Sequence, residues 1–112
     1  MEVVNNNVES KGKIIEYLKS IDVNSTNIHE EIELNNYIAS VVMITTISST
    51  LDSNEEEYVI YLLFQDKKDN KIYGEFYPKK TNDKIEAETY YNDLKNKASE
   101  MSDSDINTLI QL

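Results

Sequence analysis

The side chains in this chain that are capable of acid–base or ligand chemistry are almost all carboxylates. Glu55, Glu56 and Glu57 stand together behind Asp52, Glu30, Glu31 and Glu33 form a second run, and Asp66 follows the next apolar stretch. Paired carboxylates can do general acid–base work when their environments push their pKa values apart. Adjacent glutamates on a loop tip instead share one solvated setting. The tract Asp52-Ser53-Asn54-Glu55-Glu56-Glu57 lacks the spacing and the glycine of an EF-hand loop. His29 is the sole histidine, so no second imidazole can complete a zinc site. Cysteine and arginine are absent and no glycine-rich loop is present, which removes thiolate nucleophiles, disulfides and the usual phosphate clamps. The expectation is a non-enzymatic protein with no cofactor and no metal.

The net charge of −10 is unevenly distributed. Residues 1–19 balance three Glu against three Lys, and residues 67–112 set nine acids against eight Lys. Residues 20–66 hold Asp22, Glu30, Glu31, Glu33, Asp52, Glu55, Glu56, Glu57 and Asp66 and no cation. Such a window is either a solvated face that keeps the protein soluble or a surface that a cationic partner reads. Direct binding of nucleic acid is disfavoured, because phosphate affinity comes from cations that release counterions. The complement of an acidic surface is a protein site built for nucleic acid. Carboxylates two residues apart on a strand lie ~6.6 Å apart at a rise of ~3.3 Å, close to two steps of a DNA strand at ~3.4 Å per charge. The expected partner-binding residues are Glu30, Glu31, Glu33, Asp52, Glu55, Glu56, Glu57 and Asp66.

These groups must be positioned by the elements around them. Residues 1–112 read as one domain, with no run approaching a membrane span and an N-terminus lacking a basic, apolar leader, so a soluble cytoplasmic protein is expected. Ile14, Tyr17, Leu18 and Ile21 mark one stripe of an N-terminal helix. Residues 26–36 leave two readings open. Asn27 and Glu30 fit the start of a short helix; Ile32 and Leu34 alternating with Glu31 and Glu33 fit a strand turning at Asn35-Asn36, where asparagine tolerates positive φ. The strand is preferred. Tyr37–Thr50 and Glu56–Asp66 are rich in Val, Ile, Thr and Tyr, as strands are. Tyr58, Ile60, Leu62 and Phe64 alternate with Val59, Tyr61 and Leu63, so neither face is polar and the strand is central, covered on both sides. Lys67–Asn70 is turn chemistry. Lys71–Tyr77 is an edge strand, with Ile72, Gly74 and Phe76 on one face and Tyr73, Glu75 and Tyr77 on the other, ended by Pro78. Asp83 and Glu86 resemble a capping box, after which Ala87, Tyr90, Tyr91, Leu94, Ala98 and Met101 trace a helix. Ile106, Leu109 and Ile110 give a last short helix its apolar side. The fold class is α+β: an N-terminal helix, an antiparallel sheet of three to four strands, and two C-terminal helices.

A helix followed by strands and a late helix resembles the double-stranded-RNA-binding domain, but the loop Asp52–Glu57 and the helix start at Asp83 carry the wrong sign for phosphate. Abundant Asn, Ile and Lys with no Arg fit AT-rich coding, as in a low-GC bacterium or its phage; a phage product would work in the host cytoplasm. Glu57-Tyr58-Val59-Ile60 on a strand and Tyr90-Tyr91-Asn92-Asp93-Leu94 on a late helix, in this order of elements, resemble one class of phage-encoded type II-A anti-CRISPR proteins. The first-strand region is longer and more apolar here. The resemblance implies an inhibitor that fills the site where an RNA-guided nuclease would read the DNA motif beside its target. The implied partner is a host nucleic-acid-binding protein or nuclease complex, met by a monomer or homodimer. The alternative is an intracellular protein-binding module such as an immunity protein or an acidic secretion chaperone.

Overall fold

Four strands follow one another along the chain: β1 (Ser25–Glu33), β2 (Tyr37–Ser49), β3 (Asn54–Asp66) and β4 (Ile72–Thr81). Each pairs antiparallel with its chain neighbour, in the order β1-β2-β3-β4. Two helices come after them, α1 (Lys84–Ser99) and α2 (Asp103–Gln111), which makes the architecture α+β. The computed structural model describes residues 25–49 and 54–111. The helix expected over Ile14–Ile21, and the hairpin tip with Asp52, lie outside the described residues.

The segment with two readings is a strand. β1 pairs with β2 from Ser25 opposite Thr46 to Glu33 opposite Ile38 without a break in register. Its first half, Ser25-Thr26-Asn27, has little strand propensity of its own and is extended by pairing with β2. Asn35-Asn36 forms the turn, with the Leu34 amide donating to the Tyr37 carbonyl at 2.9 Å. The expected positive φ is not found there. Among the described residues it falls on Asn70 (61°) and Tyr77 (52°). The Asn35-Asn36 turn is instead held by Asp103 at the start of α2, which accepts from Asn35 Nδ2 at 3.1 Å and from the Asn36 amide at 3.4 Å. Beside this latch the Tyr37 hydroxyl donates to Asn107 Oδ1.

β4 does not end at Pro78 but continues to Thr81. Two shifts of register against β3, between Ile60 and Leu62 and between Leu62 and Phe64, make this possible. Lys79 pairs with Ile60 and Phe76 with Leu62, so Tyr77 and Pro78 together stand opposite Tyr61 in a bulge. An outer strand and a bulge are the settings that tolerate a proline's missing N–H. The shifts also break the expected alternation. Tyr73 opposite Phe64 and Phe76 opposite Leu62 share a face, and Phe76 and Tyr77 both pack on the same core.

Both faces of β3 are buried, as its two apolar faces require. Tyr58, Ile60, Leu62 and Phe64 meet Ala87, Tyr91, Leu94 and Ala98 of α1 and Ile106 of α2. Full burial of one such large side chain contributes ~1.5–3 kcal/mol. On the opposite face Ile38, Val42, Ile44, Tyr61 and Leu63 form a second cluster, with Val42, Tyr61 and Leu63 no more than 1% exposed. α1 starts where Asp83 Oδ1 accepts the amides of Ile85 (2.9 Å) and Glu86 (3.2 Å). The other half of the expected capping box is made differently: the Asp83 amide donates to Thr81 Oγ1 at 3.1 Å, while the Glu86 carboxylate lies 3.9 Å from Lys79 Nζ.

Candidate functional site

The carboxylates of the cation-free window are spread along the sheet rather than gathered in one patch. β1 pairing reaches β2 only as far as Thr46, and β4 pairing reaches β3 only as far as Tyr58. Beyond these levels Ile47–Ser49 and Asn54–Glu56 form ladder pairs only with each other among the described residues, with Asn82 Nδ2 donating to the Glu56 carbonyl at 2.9 Å, so among the described strands the β2–β3 hairpin projects past its neighbours. Glu55 and Glu56 are exposed on this arm, and Ile47 beside them is 54% exposed. Period-two alternation puts Glu55 and Glu57 on one face and Glu56 on the other, the face that carries the helices. The Tyr58 hydroxyl donates to Glu56 Oε1 at 3.0 Å. Burial, with Glu56 second, holds that phenol above its ordinary pKa. Glu57 lies 3.5 Å from Lys80 Nζ.

The second group lies on β1. Thr46, opposite Glu57, and Val41, opposite Glu30, are five residues apart on β2, which separates the two levels by about 17 Å. Glu30 faces α1, where Lys95 Nζ donates to it at 2.7 Å. That bond first, with Tyr91 adding another, holds its carboxyl below the usual range, and burial together with Glu30 pushes the Tyr91 phenol well up. Glu31 and Glu33 face the other side of the sheet. His29 Nε2 is 4.0 Å from Glu31, and Lys67 Nζ joins Glu33 (3.0 Å) to the Leu34 carbonyl (2.7 Å). Asp66 shapes the following turn by accepting the Lys68 amide at 2.8 Å.

Lysines from outside the acidic window thus return to Glu30, Glu33 and Glu57. Glu55 and Glu56 are left as the exposed carboxylates of the projecting arm. Among the described residues no group of three His, Asp or Glu side chains converges as a metal centre, and no helix is long and apolar enough to cross a membrane.

A second site surrounds Tyr77, at the end of the aromatic stretch Tyr73–Tyr77 that a protein-binding module would offer as a contact. The β4 bulge turns Tyr77 toward the helices. Lys97 Nζ of α1 sits 4.7 Å from the centre of its ring and the Tyr90 hydroxyl donates to its carbonyl at 2.6 Å. Burial raises the Tyr90 phenol above its ordinary pKa. The Tyr77–Lys97 pair divides a cleft between β4 and the helices. One lobe, of 470 Å³, is lined by Met101, Leu109, Thr108, Glu100 and Asp105. The other, of 190 Å³, is lined by Tyr90, Leu94 and Asp93. Ser102 donates its amide to Asp105 Oδ2 at 3.0 Å, and this bond leads the causes that keep the Asp105 carboxyl below the usual range. Periodicity cannot locate such a site, because the bulge depends on how β4 registers against β3.

The chain is therefore an α+β protein whose described residues form a four-stranded antiparallel sheet with two helices on one face, an acidic arm and a divided cleft. No protein family, curated protein or solved structure matches it.

Proposed function

We propose that the chain is a non-enzymatic inhibitor that binds a nucleic-acid-handling protein, a CRISPR nuclease being one such target, through an acidic surface standing in for DNA phosphates. The observation that carries this reading is the projecting β2–β3 arm with Glu55 and Glu56 exposed on it. A narrow two-stranded arm fits a groove lined by Lys and Arg, and Glu55 and Glu57 on one face repeat at about 6.6–7 Å, a spacing that phosphates of one strand also offer. Cationic grooves attract such an arm from a distance and raise its association rate by ~10–1000-fold at low salt. The chemistry asked of the protein is recognition alone.

Capture from host lysate with the intact chain, followed by mass spectrometry, identifies the target; recovery of a nuclease, helicase or polymerase is expected. The variant Glu55→Gln/Glu56→Gln/Glu57→Gln then binds that target at least about tenfold more weakly, with its circular dichroism unchanged, since desolvated charge pairs across such interfaces commonly couple by more than ~1.5 kcal/mol. The target's own DNA or RNA displaces the protein. Full binding by the triple variant, or ternary complexes at saturating nucleic acid, would sink the proposal. A second reading, an intracellular protein-binding module such as an immunity protein or a secretion chaperone, is favoured by the divided cleft, which phosphate mimicry does not use. Recovery of a single toxin or effector in the same capture supports it.

A further inference from the structure

Tyr77 combines three features. It is a bulky residue at φ 52°, a conformation that costs a side chain of this size free energy and that concentrates at functional positions. It sits in a bulge, the device by which an outer strand re-aims a side chain. Its backbone and ring are both held from the helix side, by Tyr90 at 2.6 Å and by Lys97 at 4.7 Å. The fold thus fixes this ring as a partition between the two lobes of the cleft.

The lobes share one composition. In the larger, half-buried Met101 and Leu109 form the floor, and exposed Glu100 and Asp105 stand at the rim. In the smaller, Tyr90 and buried Leu94 form the floor and exposed Asp93 the rim. Three carboxylates, against the single ammonium of Lys97 on the Tyr77 ring, line the two lobes. Each lobe therefore offers an apolar floor beside an acidic edge, and the edge carries an excess of negative charge.

We propose that this divided cleft is a docking groove for an extended segment of a protein partner in which apolar side chains alternate with Lys or Arg. The apolar side chains enter the two lobes on either side of Tyr77, and the cations reach Asp93, Glu100 and Asp105. A second copy of this chain is a poor occupant, since its excess negative charge opposes that of the rim. The groove is separate from the acidic arm, so this inference stands or falls independently of phosphate mimicry.

The test uses the intact, isotopically labelled chain and, as probe, a short capped peptide alternating arginine and leucine, with the glutamate–leucine peptide as control. Amide shifts are expected to cluster on Tyr77, Tyr90, Lys97, Met101 and Leu109 with the basic peptide and to be absent with the acidic one. Thr108→Lys, which adds a cation at the exposed rim, weakens binding about tenfold while circular dichroism stays unchanged. Glu55→Gln/Glu56→Gln leaves it as it was. Shifts that centre on the arm, shifts spread over all acidic surfaces, an unaffected Thr108→Lys variant, or no shifts at all would each overturn the proposal.

Discussion

Glu30 shows how a carboxylate that reads as a contact residue in the sequence can be held within the fold. Its bond to Lys95 spans 65 residues and joins β1 to α1. Both side chains are nearly half exposed, so Glu30→Gln lowers stability by only about 0.2–1 kcal/mol, measured by urea unfolding near neutral pH. The sign of its pH dependence follows from the lowered pKa. A depressed carboxyl contributes above its unfolded value and loses that contribution as pH falls through the folded one. The gap between wild type and Glu30→Gln should therefore close in acid, below the ordinary carboxylate range; a gap that widens there contradicts the assignment. Asp83 matters more, because two amide donors at the start of α1 depend on it. Asp83→Ala costs about 0.5–2 kcal/mol, and Asp83→Ser recovers most of it.

At the scale of elements, legibility followed periodicity. β2, β3 and α1 carry long regular patterns, and their cores appear where the alternation and the helical stripe put them: Ile60, Leu62 and Phe64 on one side of β3, Tyr61 and Leu63 on the other. β1 was legible only in its second half, since Ser25-Thr26-Asn27 is strand by pairing rather than by propensity. The continuation of β4 through Pro78 was hidden because a bulge is a property of two strands together. The cap of α2 is local in sequence: Ser102 and Asp105 bond reciprocally, at 3.0 and 3.2 Å, in the spacing of a capping box. Of the candidate contact residues, sequence placed Glu55, Glu56 and Glu57 on a loop tip, whereas all three already pair with β2 as part of β3, and it could not show that Lys67, Lys80 and Lys95 return to Glu33, Glu57 and Glu30. The turn before β4 offers a test at this scale. Asn70 is left-handed at φ 61°, so Asn70→Gly retains stability whereas Asn70→Val loses about 1–2 kcal/mol in the same unfolding assay.

At the scale of the whole molecule, a net charge of −10 opposes compaction through self-repulsion, and the arm concentrates part of that charge. Neutralising Glu55 and Glu56 should raise the thermal midpoint slightly at low ionic strength, and salt should erase the gain, since exposed charges are screened beyond ~8 Å at physiological ionic strength. A midpoint that falls would mean that these side chains hold the arm together instead.

The meander of strands against chain neighbours also sets an order in time. The sheet's pairings link adjacent segments, whereas α2 reaches the β1–β2 turn across 67 to 70 residues. Local contacts of the first kind close quickly and distant ones late. On the ribosome the hairpins can therefore zip while the helices that cover Tyr58, Ile60, Leu62 and Phe64 are still unmade. Residues 67–111 take roughly 2–9 s to add at ~5–20 residues per second. Until α1 and α2 have been made and have emerged, the face formed by Tyr58, Ile60, Leu62 and Phe64 lacks its cover. Chains truncated after Thr81 and released from the ribosome should accordingly recruit a holdase chaperone, and released full-length chains should not.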